Sequence, residues 1–542
     1  MCHRPRLFFD SPDMILMRPI AAALASLCVS VTISAAQKQA PSVRHLGTVR
    51  FAISCDAAVR PRFNQSVALL HSFAFADAVT GFEAVLAQDP RCAIAGWGLA
   101  LSAWGNPFAP GLKTADQLQR GLGAVARART AGPATERESA YISAVARLYE
   151  HADSLDQRTR LLAYRDAMGA LAERAPADTE ATIFHLLAEV VAADPADKSY
   201  ATQLSAGASF ERLFAVLPDH PGLAHYIIHT YDVPSLASRG LEAARRYARI
   251  APEMSHALHM PSHVYTRTGD WQGSIAANVA AAAAARREGA VAEQLHSSDY
   301  EVYAYLQTGQ DRAARRIVDS VPAIAARLDP TKITTGAPPA AGYFAIAAIP
   351  ARYALERGDW AGAARLTGTL NPIPFATALT SFARALGAAR SGDTATARLA
   401  VLELENLRDT LAARHEKYWR EQVEIQRMAA VAWLEFAAGS HDDALASMRS
   451  AADREDATEK SVLSPGPLAP SRELLGEMLL QLHQQSAALD AFETALRHEP
   501  NRFRSIAGAA AAARQSGDSV RARHYASLQR ALEVHGDRKA RP

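Results

Sequence analysis

The feature that most limits how this chain can fold is a spacing. Near the C-terminal end, Ala488-Leu-Asp-Ala-Phe492-Glu-Thr-Ala495-Leu-Arg-His-Glu-Pro500 reads Ala-x3-Phe-x2-Ala-x4-Pro, and Ala522 follows Ala488 by 34 residues. Near the other end, Ala78, Phe82 and Pro90 keep the same Ala-x3-Phe-x7-Pro offsets, with Trp97-Gly-Leu-Ala100 after them. A self-similar period of this length means one supersecondary unit repeated, each burying its apolar face on the next. Pro closes the second helix of a unit because it lacks the N–H that the helical ladder needs. Glycine turns ahead of a second helix recur at Gly269, Gly309, Gly358, Gly392 and Gly439. A chain of 542 residues also exceeds a single core, which stops growing near about 250–300 residues. Alanine runs such as Gly508-Ala-Ala-Ala-Ala-Ala513 favour helix, and aromatic residues make up only 7% of the chain. The expectation is an all-α chain of antiparallel helix pairs.

With Leu475-Gly476 upstream of Ala488, these residues resemble the tetratricopeptide repeat, a helix–turn–helix unit of 34 residues. The resemblance implies an α-solenoid, a right-handed superhelix whose first helices line a concave groove. It divides the chain into an N-terminal extension at 37–58, a helical array at 59–330, a loop at 331–342, a second array at 343–535 and a tail at 536–542. Two stretches dense in Gly and Pro, Lys332–Gly342 and Glu459–Pro470, read as long connections rather than lids.

The first 36 residues read as a targeting segment. Met17-Arg-Pro-Ile-Ala-Ala-Ala-Leu-Ala-Ser-Leu-Cys-Val-Ser-Val-Thr-Ile-Ser-Ala-Ala36 has a basic start, an apolar run and a small-residue end, the layout of a secretory signal peptide. The expected location is periplasmic or secreted, with no transmembrane helix after cleavage. Cleavage would leave Cys55 and Cys92, which an exported chain would hold either as one disulfide or as two buried thiols.

Five of the 18 histidines fall between residues 225 and 263: His225, His229, His256, His259 and His263. His225 and His229 are one helical turn apart, and so are His259 and His263. Each member of the first pair precedes its counterpart in the second by 34 residues, so equivalent positions of successive units carry imidazole. Pro261 either starts a helix, leaving His256 and His259 in an approach loop, or kinks one. His225, His229, His259 and His263 would suit a divalent metal such as zinc, with Asp232 or Asp219 as ligand, orienting partner or base. Alternatively the five histidines, with Tyr226, Tyr231 and Trp271 and with Arg245, Arg246 and Arg267 nearby, would line a ligand groove. Ordinary packing between helices is the third option. His296 and Tyr300 repeat the mixture one unit on, whereas His71 and His185 read as interior residues, and Arg352 with Glu356 reads as a helical ion pair.

This segment also resembles a group of bacterial exported tetratricopeptide proteins that share His-Ala-x-His-Met-Pro-Ser-His, here residues 256–263; that resemblance implies no activity. Net charge is only +2, without a basic stripe interleaved with aromatics, so no nucleic-acid partner is expected. No Gly-x-Ser-x-Gly, phosphate-binding loop or His-Glu-x-x-His occurs. The leading expectation is an exported scaffold that binds a protein, peptide or small ligand in its groove without covalent chemistry. The alternative is a zinc-dependent, hydrolase-like enzyme in the same groove.

Overall fold

The computed structural model describes residues 45–109, 111–368 and 371–538. The signal-peptide expectation at 17–36 and the end of the tail lie outside these residues. Among the described residues there is no β-strand, and helices follow one another in antiparallel pairs from Arg60–His71 with Phe75–Gln88 to Phe503–Gln515 with Ser519–Leu532. Each helix packs on the next, and the first helix of a pair also packs on the first helix of the following pair. Thus Val291–Gln307 touches Pro339–Glu356, which touches Pro374–Arg390, which touches Lys417–Ala437. This is an all-α solenoid.

Local sequence explains the repeat. Gly269, Gly358, Gly392 and Gly517 take positive φ, between 61° and 84°, where a side chain would be strained, and each is followed by Asp. That Asp caps the second helix: Asp270, Asp359, Asp393 and Asp518 accept from the backbone N–H three residues on, a contact worth about 1 kcal/mol each. The small residues of the repeat mark close crossings. Phe492 lies between Gly476 and Gly508, and a Cβ on Gly476 would stand 2.8 Å from its ring. Phe82 likewise occupies the space over Gly98.

The residues ahead of the first helix run extended, with Val49, Phe51 and Ile53 buried and the residues between them exposed. Phe51 packs against Phe63, Trp97 and Tyr141 at ring separations of 5.1–5.3 Å. Cys55 is bonded to Cys92 and ties this segment to the Ile94–Trp104 helix region.

The described residues from His45 onward form one compact unit, in which distant helices meet. Trp271 donates its indole N–H to the carbonyl of Asn501 at 2.8 Å, and Phe503 donates its amide to Gln307 Oε1 at 2.8 Å. Both Gly/Pro-rich stretches run into the interior. The Pro339–Glu356 helix starts inside the stretch expected as loop, and the residues before it pack on the first array, where Asn106 Nδ2 donates to the carbonyl of Gly336 at 2.8 Å. The other stretch crosses the axis as a strap: Tyr300 donates to the carbonyl of Ser464 at 3.0 Å, and Arg352 donates to the carbonyls of Gly466 and Pro467 at 3.2 Å. Both stretches pack against the histidine helices of the expected groove, Gly336 against the His256 ring and Lys460 against Asp232 at 3.1 Å. Arg352 and Glu356 do not pair with each other as expected. Arg352 bonds Asp299 at 3.1 Å, while Glu356 meets Arg502 at 2.7 Å.

Candidate metal centre

Three consecutive first helices supply the centre. Every residue of Pro221–Thr230 is buried, so His225 and His229 face protein, not solvent. In the next unit, Ser255–His259 and Pro261–Thr268 are joined through Met260, whose φ/ψ of −53°/−38° stays helical. Pro261 opens the second piece at a position that needs no N–H donor, so His256, His259 and His263 all sit on helix. Val291–Gln307 adds Glu293, His296 and Tyr300.

The histidines sort into two triads. His225, His229 and His256 bring ring nitrogens within 4.8 Å of one another, and so do His259, His263 and His296. The four expected metal ligands thus divide two and two, and the third member of one triad is His296, which the metal set did not contain. Its sequence signal was its place 37 residues after His259, one unit plus one turn. All six are buried, with at most 9% exposure.

Hydrogen bonds lock the tautomers of His259 and His263 in the second triad. Asn278 Nδ2 donates to the carbonyl of Ser274 at 2.8 Å, which leaves its Oδ1 to accept from His259 Nδ1 at 2.7 Å. His263 Nδ1 donates to Asp232 Oδ2 at 2.8 Å. Burial alone would push the Asp232 carboxyl up, but Lys460, His263 and Arg267 hold it well below the ordinary carboxylate range. Both Nε2 atoms therefore carry lone pairs, yet they stand 3.1 Å apart. Protonating one ring would resolve the clash, but burial and the neighbouring imidazoles push His259 well below its usual value. Burial lowers His263 too, with Asp232 opposing.

The strap touches this triad through charge. Lys460 Nζ meets Asp232 Oδ2 at 3.1 Å, Arg267 Nε meets Oδ1 at 3.0 Å, and burial brings the Lys460 ammonium down to about 8. Tyr300 lies against His259 and His263, its ring 4.8 Å and 5.0 Å from theirs. At the root of the strap, Glu455 accepts from the Ser471 amide at 2.6 Å, and burial, with Glu499 and Asp456 nearby, pushes its carboxyl up to about 7. Its folded value exceeds the unfolded one, so its contribution is intact below the unfolded value and lost as pH rises through 7. Glu455→Gln, which keeps an acceptor for Ser471, is expected to leave the melting temperature unchanged at pH 4 and to raise stability at pH 8 by on the order of 3 kcal/mol. Melts of both proteins at the two pH values check this.

A third cluster needs no ion. Glu180 takes His71 Nε2 at 2.9 Å and His220 Nε2 at 3.1 Å, while the other ring nitrogens bond Tyr226 Oη and the Leu223 amide. His71 is thus a satisfied interior residue, whereas His185 is half-buried beside Glu189 at 3.6 Å. The remaining expected groove residues are also structural. Tyr226 serves His71, Tyr231 donates to Glu211 at 2.8 Å, and Trp271 joins the two arrays. Arg246 donates to the carbonyl of Pro218 at 3.0 Å, and Asp219 accepts from the Thr48 amide at 2.9 Å through its carbonyl.

No protein-family model matches this chain, and no curated protein matches it. Among solved structures it is similar to the P58(IPK) TPR domain, at TM-score 0.22 and 11% identity over 86% of this chain and 99% of that one. It is also similar to Naa15/Naa10 bound to HypK-THB, at TM-score 0.20 and 12% identity over 87% of this chain and 68% of that one. The assignment as a helical-repeat protein rests on the helix pairing described above.

Proposed function

We propose that this chain is a metal-binding helical-repeat protein whose closed groove holds a first-row transition-metal ion on His259, His263 and His296. One observation carries the reading: two imidazole lone pairs, each fixed by a hydrogen bond on the far side of its ring, confront one another at 3.1 Å. A cation between them turns that repulsion into ligation. Two ligands at about 2.0–2.1 Å from one tetrahedral ion stand about 3.3 Å apart. The carboxylate of Asp232 behind His263 is the partner that orients and strengthens an imidazole ligand. Neutral nitrogen donors suit zinc, copper, nickel or iron better than magnesium or calcium. Three imidazoles leave a coordination position for water or a small ligand, with Tyr300 against the His259 and His263 rings.

A protein or peptide ligand, the other reading of the groove, would have to displace the strap from Asp232 and Tyr300. The Cys55–Cys92 bond supports an exported location, since disulfides persist in oxidising compartments.

Protein purified without chelator is expected to carry transition metal, and a His259→Ala/His263→Ala variant of unchanged circular dichroism is expected to lose that ion. Chelation should destabilise the wild type by about 4 kcal/mol where the ion had been present at a thousand times its Kd. Wild-type protein that stays metal-free after incubation with zinc, copper, nickel and iron would end the proposal.

A further inference from the structure

The first triad carries its own case, on different ligands from the centre proposed above. His225 Nδ1 donates to the carbonyl of His71 at 2.7 Å, which leaves the lone pair on Nε2. His256 Nδ1 donates to Glu293 Oε1 at 3.2 Å, so its Nε2 is also the acceptor. Glu293 is itself fixed: its Oε2 accepts from Thr335 Oγ1 at 2.8 Å and from the Ala337 amide at 2.9 Å. His229 has no hydrogen bond on either nitrogen, and one of the two is a lone pair in any neutral imidazole. The Nε2 atoms of His225 and His256 are likewise buried without a partner. One ring nitrogen of each lies within 4.8 Å of the other two, whereas nearly all buried polar groups in folded proteins are partnered.

Aromatic rings crowd the three imidazoles, with Tyr247 stacked on His225 at 5.2 Å. Phe73 lies edge-on to His225 at 4.3 Å and stacks on His256 at 5.6 Å, and Phe108 stacks on His229 at 4.1 Å. Gly336 approaches so closely that a Cβ there would run into the His256 ring. One water has two hydrogens to give, which leaves a third acceptor unserved. A cation serves all three at once.

We infer that His225, His229 and His256 form a second metal site, which takes a first-row transition ion such as zinc, copper or cobalt on three neutral imidazoles. Glu293 stands behind His256 as Asp232 stands behind His263, so each triad has one carboxylate one hydrogen bond away from the ligand nitrogens. The absence of carboxylate oxygen among the three ligands disfavours magnesium and calcium. The apolar wall of Phe73 and Phe108 favours an ion that does without a hydration shell. The triads adjoin, with the His229 and His263 rings 6.0 Å apart and the His256 and His259 rings 6.2 Å apart, so the two ions would be neighbours in one buried chamber.

The test is stoichiometry on the full chain. Metal is stripped with chelator, cobalt(II) is titrated back while its visible absorption is followed, and native mass spectrometry counts the bound ions. The expected result is two equivalents in the wild type and one in His229→Phe, which keeps the stack on Phe108. Glu293→Gln should keep both ions but weaken one by about 10–100-fold, a readout that does not depend on removing a core side chain. One equivalent in the wild type, retained in His229→Phe and lost in His259→Ala/His263→Ala, would overturn the second site and leave the proposed function standing. One equivalent with the reverse pattern would sustain this site and remove the other. Two equivalents unchanged in both His229→Phe and Glu293→Gln would place the second ion elsewhere and overturn the inference, as would none at all.

Discussion

Replacing Arg502 with methionine is expected to destabilise the protein by about 3–5 kcal/mol, enough to leave much of it unfolded at physiological temperature. The guanidinium is completely buried, donates to both oxygens of Glu473 at 2.8 Å and 3.1 Å, and meets Glu356 Oε1 at 2.7 Å. It also donates to Tyr303 Oη at 3.0 Å. These partners come from three other helices, Val291–Gln307, Pro339–Glu356 and Ser471–Gln481, so Arg502 stands where the superhelix closes on itself. Removing it strands Glu356 in a low-dielectric interior and leaves Glu473 with only Ser505 Oγ at 2.6 Å and Arg504 Nε at 3.4 Å, and that penalty, rather than the worth of the ion pair, sets the size of the effect. Adding Glu356→Gln and Glu473→Gln to Arg502→Met should therefore recover part of the loss. Urea unfolding of the single and triple variants measures both quantities. A loss below about 1 kcal/mol, in the range of an exposed ion pair, would mean the network is not closed to water.

Breaking the Cys55–Cys92 bond is expected to cost about 4 kcal/mol, from the chain entropy that a cross-link across 37 residues removes from the unfolded state. The loss should be spent locally. Phe51 remains in its aromatic cluster, and Ser54 still donates its amide to Glu138 Oε1 at 2.7 Å, so the solenoid stays folded while the extended segment opens more often. Reductant, or Cys55→Ser/Cys92→Ser, should lower the melting temperature and expose the chain to protease ahead of the Arg60–His71 helix before any cut elsewhere. Identical melts and cleavage patterns with and without reductant would contradict this.

How far the sequence could be read differs between elements for physical reasons. The glycine turns were legible because positive φ followed by an Asp cap is a local requirement, met within five residues at Gly269, Gly358 and Gly392. The equivalence of His225 with His259 and of His229 with His263 was legible for the same reason that the repeat was. Periodicity says which residues occupy like positions on successive helices. It does not say how far each helix is rotated or slid against the next. The ligand sets depend on that offset, which joins His256 to the preceding unit and His296 to its own predecessor. Arg352 and Glu356 show the same limit. Their spacing on one helix is that of an ion pair, but burial at a helix junction gave each a partner from another unit.

By itself the sequence determined that this protein is a stack of paired helices, and that imidazoles repeat at one position of the stack, because both follow from short-range spacing. Only the tertiary structure decided that the stack closes, that two loops fill its axis, and that six histidines become two buried triads. The closure and the filled axis rest on contacts between residues about 230 apart, such as Lys460 with Asp232 and Trp271 with Asn501, and the triads rest on the offset between neighbouring helices, neither of which a local pattern encodes.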